Sequence, residues 1–452
     1  MPGMRACLLL LAAAAAQVAD EEYPVYDHRL FAEVGRFMKG TFPVPDDVSL
    51  LELKRRDVAQ PFNFTCMNRC HLKTDHINDV FDFGKVEEMP LHSSNAGFLP
   101  NTTYWINEDL HVGHVHYDIV LMQVLHTQKV DRVVVQRTIC KDRLCAGLGV
   151  VESFWKAYFA ALFESAGQPN VPVYVRWTNS DSDVKPLFFS ARSPDLYNKT
   201  AIKQLPPALQ QFKLPQLMCF DSVTRSGKKH QYGSRAQVSV RAVQRFKAAA
   251  YKMAFSPPLS LSLSPDPPYR ILFSHRGPRA TRHISNLEEV IRALHEAFPR
   301  PIFELRIMNN SLPSLDWQSQ LTAMAESHVV ITNHGAFEGE EPACVLSTCI
   351  REAANPHFAP LSLFLSQGNM VYMRNSSLLL EIFGHYGNNE IHTFHRLALT
   401  FGIFYSRLHP KGITDHHQPS FNLSAADMDK LINVTRGYFK TVPPLLRIHR
   451  PV

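Results

Sequence analysis

The sequence predicts an α/β protein with two Rossmann-like domains facing a cleft, and three observations carry that expectation. A proline-rich break interrupts the chain, a strand-helix-strand pattern precedes it, and a second pattern of the same kind follows it. The break, SPPLSLSLSPDPP at 256–268, holds five prolines among alternating Ser and Leu, which excludes a helix and reads as a semi-rigid linker. The domains expected on either side run 20–255 and 269–452.

Residues 1–19 stand apart from both. MPGMRACLLLLAAAAAQVAD places one Arg before a run of small and apolar residues, Ala6 to Ala19, broken only by Gln17. The run is too short to span a bilayer and is arranged as a secretory signal peptide cut between Ala16 and Ala19, with an uncleaved anchor as the alternative. No second run of about eighteen apolar residues follows, so no other transmembrane span is expected. The body is expected in the lumen of the endoplasmic reticulum or Golgi, or outside the cell. Seven N-x-Ser/Thr sequons, at Asn63, Asn101, Asn198, Asn309, Asn375, Asn422 and Asn433, agree with a glycosylated protein. Without Cys7, the cysteines fall into three close sets, Cys66/Cys70, Cys140/Cys145 and Cys344/Cys349, with Cys219 left over. Up to three disulfides and one free thiol are expected, with the pairing open.

In the first domain, DRVVVQR (131–137) and VPVYVRW (171–177) read as buried strands. Between them, Phe154, Tyr158, Phe159, Leu162 and Phe163 recur at helical spacing, giving a parallel βαβ unit. Between Asp221 and Asp266 there is no acidic residue but Arg225, Lys228, Lys229, Arg235, Arg241, Arg245, Lys247 and Lys252. That stretch reads either as a solvated basic helix or as a contact for anions or a membrane surface. The net charge of +6 is too modest for the chain's size to suggest nucleic acid as a partner.

The second domain opens with YRILFS as a strand, then a helix through Leu287, Val290, Ile291, Leu294 and Phe298, with Ser285 and Glu288 spaced as a capping box. IFELRI (302–307) and HVVIT (328–332) are further strands, and Leu321, Met324 and Ala325 lie on the helix between them. In such sheets ligands bind off the carboxyl ends of the strands. Arg276, Arg279, Arg282 and His283 crowd the passage from the first strand to its helix. A helix N-terminus attracts anions and guanidinium forks bind diphosphate or carboxylate, so Arg276 and Arg282 are candidate anion ligands. Pairing with surface carboxylates is the structural alternative.

These residues resemble a known family. SHRGPRATRHISNLEEVI is similar to the arginine-rich motif of glycosyltransferase family sixty-one, through Arg276, Arg282, Ile284, Asn286 and Glu289. That family includes secretory-pathway protein O-GlcNAc transferases and plant xylosyl- and arabinosyltransferases. MAESHVVITNHGA resembles its strand and His-Gly-Ala turn, with His334, Gly335 and Ala336 matching. LLLEIFG resembles the strand that carries a glutamate, here Glu381, and FHRLALTFGIFY the helix after it. Upstream, HVGHVHYDIV (111–120) and MCFDSVTRSG (218–227) resemble segments of the N-terminal domain. After His334 the chain departs from the family with a long insertion containing Cys344 and Cys349.

The resemblance implies a GT-B fold and an inverting transfer of a sugar, GlcNAc or xylose, from a UDP-sugar to a hydroxyl of a glycan or glycoprotein. It implies donor binding by Arg276, Arg282, His334, Gly335 and Glu381, and a base from the opposite domain, Asp118 or His114. No metal cofactor is expected, because arginines and a helix N-terminus can hold the diphosphate. Two alternatives stay open: a non-catalytic glycan-binding or scaffolding protein, prompted by the insertion, and a metal-dependent transferase using Asp181 and Asp183. Cys66, Cys70, His71 and His76 lack standard metal-ligand spacing, and His111, His114 and His116 are accompanied by no HExxH in a chain with 22 histidines. A hydrolase is disfavoured, since neither a G-x-S-x-G elbow nor a zincin motif occurs.

Overall fold

The computed structural model describes residues 69–72, 96–106, 119–127, 129–138, 148–176, 183–188, 199–205, 210, 212–213, 217–225, 240–276, 282–309, 317–333, 367–382, 398, 401–410 and 420–448. The first half is built on a seven-stranded sheet. Its strands are β1 (Arg69–Leu72), β2 (Ala96–Ile106), β3 (Arg132–Thr138), β4 (Pro172–Arg176), β5 (Asp183–Phe188), β6 (Phe212–Lys213) and β7 (Leu217–Arg225), in the order β1-β7-β2-β3-β4-β5-β6. The four central strands β7, β2, β3 and β4 are parallel, and β1, β5 and β6 close the sides antiparallel. Helices α1 (Ile119–Thr127), α2 (Leu148–Ser165), α3 (Lys199–Gln204) and α4 (Val240–Ala254) complete this half, and β3-α2-β4 is the βαβ unit expected from the sequence.

The second half is a doubly wound sheet. Strands β8 (Tyr269–His275), β10 (Phe303–Asn309), β11 (Val329–Asn333), β12 (Leu378–Ile382) and β13 (Phe404–Leu408) are all parallel, in the order β10-β8-β11-β12-β13. Between them run α5 (Leu287–Ala297) and α6 (Trp317–Glu326), and α7 (Ala425–Ile448) follows. A short pair, β9 (His283–Ile284) with β14 (Ser420–Phe421), lies outside the sheet. Counted from β8, the order is 2-1-3-4-5, which reverses direction between β8 and β11 and opens a crevice at their carboxyl ends.

Side-chain alternation assigns the two faces of this sheet. Ile271, Phe273, Val329, Ile331, Leu378 and Leu380 pack with α5 and α7 in an outer core. Leu272, Val330 and Leu379 point the other way, into a core shared with α6, the 3-10 turn Gln367–Tyr372, and the helices α1, α2 and α4 of the first half. The two halves therefore meet helix against helix, with one continuous apolar interior between the sheets.

Helix α4 forms the seam. The expectation of a solvated basic helix fails at Lys247, which is fully buried. Its ammonium donates to Met373 O at 2.7 Å, to Asn375 Oδ1 at 3.3 Å, and to Phe401 O. Burial lowers its pKa to about 7. Tyr251 donates to Tyr372 O at 2.8 Å, and the Asn375 amide donates to Gln244 Oε1 at 2.8 Å. Asn375 belongs to a sequon, but with both ends of its side chain held in the seam it is no glycosylation site of the folded chain. Asn422 and Asn433, by contrast, are exposed.

The proline-rich segment lies against the second half. Leu261 and Leu263 are buried, and Asn375 N donates to Leu261 O at 2.8 Å. His328 ties the segment to the sheet: Arg270 N donates to its Nδ1 at 3.1 Å, so Nε2 carries the proton and donates to Ser264 O at 3.0 Å. That neutral imidazole is buried, and desolvation lowers its pKa to about 4.

Two local expectations need correction. Ser285 does not cap α5: the N-cap is Asn286, whose amide instead donates to Leu423 O at 2.9 Å and accepts from Leu423 N at 3.0 Å. Tying the segment after β14 to the helix start takes precedence over the local cap. FHRLALTFGIFY is not helical to its end, because Gly402 (φ 74°) and the bond from Ile403 N to Ala398 O turn the chain, and Phe404–Leu408 runs on as β13. The cysteine pairing stays open; in backbone register Cys70 on β1 stands opposite Cys219 on β7.

Candidate functional site

The carboxyl edge of the second sheet gathers the polar chemistry. Its strands are apolar through their middles and turn polar in the same register: Ser274 on β8, Thr332 on β11, Glu381 on β12 and Arg407 on β13 are successive partners across four strands. Each lies two positions past an inward-facing residue or its register equivalent, so the row belongs to the inner face. Glu381 is fully buried there and accepts a hydrogen bond from the Tyr405 hydroxyl. Burial first, and the Glu381 charge second, hold the Tyr405 phenol well above its ordinary pKa, so it acts as a neutral donor.

The crevice between β8 and β11 holds the arginines. Arg276 follows the last residue of β8 and is 3% exposed, and Arg282 is 5% exposed. The backbone carbonyl of Arg276 accepts from His275 Nδ1 at 3.2 Å and from His283 Nδ1 at 3.1 Å. A carbonyl only accepts, so both imidazoles carry a proton on Nδ1. Burial lowers the pKa of His275. Arg282 has a left-handed backbone, φ 64°, and its carbonyl accepts from Asn333 Nδ2 at 2.7 Å. Side chains thus clamp the main chain at both arginines, from within the loop and from the neighbouring strand.

Arg276, Arg282 and Glu381 are therefore brought to one edge of one sheet, as the sequence suggested. His334 and Gly335 directly follow β11 in sequence but lie outside the described residues, as do His114, Asp118, Arg279 and the insertion after His334 up to residue 366; its last part, from Gln367, is the 3-10 turn that packs on α4. Asp181 is likewise outside them, and Asp183 begins β5, where it pairs with Lys213. Among the described residues no group of His, Cys, Asp and Glu could hold a metal ion.

The structure alters the role expected of the helix N-terminus. β9 separates the arginine loop from α5, and Glu288 and Glu289 occupy the first turn of that helix. Two carboxylates at this point oppose an anion. The first turn of α5 thus carries acidic side chains rather than an open anion site. Asn333 is the residue that sequence reasoning missed. No local signal marks it, because the carbonyl it holds lies 51 positions upstream.

Comparison with known proteins places this geometry. The family model Glycosyltransferase 61 matches residues 112–337, half of the chain, and spans both α1 of the first half and the β8-to-β11 crevice. No curated protein matches. Among solved structures, a flavodoxin, WrbA-like protein from Agrobacterium tumefaciens is 12% identical with a TM-score of 0.19, covering 40% of this chain and 99% of that one. The flavodiiron protein from Giardia intestinalis is 10% identical with a TM-score of 0.23, covering 52% of this chain and 46% of that one.

Proposed function

From the premise that the chain belongs to glycosyltransferase family 61, we propose that it is an inverting glycosyltransferase that uses a UDP-sugar, UDP-GlcNAc or UDP-xylose, and glycosylates a hydroxyl of a glycan or glycoprotein in the secretory pathway. The observation that carries this reading is the pair of buried arginines at the switch point of a doubly wound sheet, inside the matched region. Such a crevice is where this architecture receives a ligand, and guanidinium forks suit a diphosphate.

In this proposal the two halves form a GT-B pair, with the donor on the side of 269–452 and the acceptor on the side of 20–255. A base from the first half, Asp118 or His114, takes the proton of the acceptor hydroxyl. The acceptor oxygen then bonds to the anomeric carbon from the face opposite the diphosphate. The bond from that carbon to the diphosphate oxygen breaks, and the electron pair leaves with UDP. Arg276 and Arg282 offset the charge that develops on the departing diphosphate. Glu381, aligned by Tyr405, accepts from a ribose hydroxyl, and His334 with Gly335 completes the donor pocket. No divalent metal is required. The run of small and apolar residues Ala6 to Ala19 and the exposed sequon residues Asn422 and Asn433 support a lumenal location.

A screen of UDP-sugars tests the proposal. Purified protein should be stabilised against heat by UDP and one UDP-sugar, and should release UDP from that donor in the presence of EDTA. Binding without turnover would favour the glycan-binding alternative. Turnover abolished by EDTA and restored by manganese would move the chemistry toward Asp181 and Asp183.

A further inference from the structure

We infer that Asn333 is the positioning residue of Arg282: its side-chain amide holds the Arg282 carbonyl and fixes the left-handed backbone from which the guanidinium reaches the ligand. The inference rests on the nucleotide-sugar reading above and extends it to a residue outside the arginine loop.

Four observations converge on it. Asn333 ends β11 and is 3% exposed, and its Nδ2 donates to Arg282 O at 2.7 Å across 51 positions of sequence. Arg282 at φ 64° occupies a region that L side chains adopt only where the surroundings hold them. The tie spans the β8–β11 crevice, so it couples the loop leaving the first strand to the end of the third. Donation to a carbonyl also fixes which end of the amide is which, leaving Oδ1 as a buried acceptor with no partner among the described residues. An asparagine serving only the fold would be expected to use both ends, because a buried acceptor left unsatisfied is costly. Here one end is used, on the backbone of the arginine assigned to the diphosphate.

The geometry also separates positioning from contact. Asn333 holds main chain, whereas the anion affinity belongs to the guanidinium of Arg282. Removing the amide should therefore weaken the ligand only through Arg282. In a variant that already lacks the guanidinium, the amide should contribute nothing to binding.

Isothermal titration of the full chain with UDP reads this directly. Arg282→Ala is expected to weaken UDP by about 10- to 100-fold. Asn333→Ala should weaken it by about 5- to 30-fold, and the double variant should match Arg282→Ala within about twofold, since residues acting through one contact are not additive. Asn333→Thr, which keeps a donor and suits a strand end, should recover part of the loss. Asn333→Leu, closer to the native volume, replaces the alanine variant if that one does not fold. Independent, additive losses in the two single variants would overturn the positioning role. So would wild-type UDP affinity in Asn333→Ala or Asn333→Leu beside a weakened Arg282→Ala, with the glycosyltransferase reading intact. Wild-type affinity in Arg282→Ala would overturn that reading itself, and the inference with it.

Discussion

The two ends of the second sheet place arginine in opposite circumstances. At the amino end Arg270 and Arg306 are partly exposed and reach the carboxylates of Glu304 and Glu326, at distances from 2.8 to 3.4 Å. Hydrogen bonding from Arg306 is the main cause of a lowered Glu304 pKa. At the carboxyl end Arg276 and Arg282 are buried, and neighbouring side chains clamp their backbone carbonyls. The same residue type thus trims a solvated edge in one place and is built into a crevice in the other. Strand order accounts for the difference, because the 2-1-3-4-5 arrangement opens a crevice only where β8 and β11 send their connections to opposite faces.

That contrast can be broken by substitution. The largest effect should come from Arg276→Ala at the carboxyl end, with donor turnover reduced about 10- to 100-fold and the melting temperature nearly unchanged, measured by UDP release and calorimetry. A large fall in melting temperature at unchanged turnover would make this arginine structural, like those at the other end. Next is Tyr405→Phe, which removes the donor to Glu381 and leaves a buried carboxylate short of a partner. It should cost about 1 to 3 kcal/mol in donor binding or stability, and a steeper loss for UDP than for 2′-deoxy-UDP would assign the effect to the ribose.

The amino end should respond to pH instead. His328 has its pKa lowered to about 4 in the folded chain, against 6.5 when exposed. The folded state therefore binds fewer protons between those values, and the stability contributed above pH 6.5 is lost as pH falls toward 4. A loss of about 2 kcal/mol over that window is expected from this residue, read by denaturant melts at pH 7 and pH 4.5. His328→Asn should flatten the dependence. Smallest of all, Arg306→Ala should change stability by less than about 1 kcal/mol and leave turnover alone, since its partners are solvated and screened by salt.

Most strands of the second half were legible because their apolar runs are bounded by turn-forming or polar residues, as in YRILFS and HVVIT. Alternation between apolar and polar residues was suppressed by burial on both faces, and the parallel sheet explains why. Legibility failed where a distant segment decided the outcome. Asn286 displaced Ser285 as the cap because Leu423 supplies it with two hydrogen bonds, and Lys247 became a buried donor because Met373 and Phe401 present carbonyls to α4. Local sequence held neither partner. Arg276, Arg282 and Glu381 were named from the motif they resemble, whereas Asn333 acts on a carbonyl 51 positions away and has no local signature.

The central claim is that the carboxyl edge of the second sheet receives a nucleotide-sugar diphosphate on Arg276 and Arg282. It is tested most directly by a crystal structure of the full chain with UDP. The diphosphate should lie in the β8–β11 crevice within hydrogen-bond distance of both guanidinium groups. A diphosphate bound elsewhere, or held through a metal at Asp181 and Asp183, would contradict it.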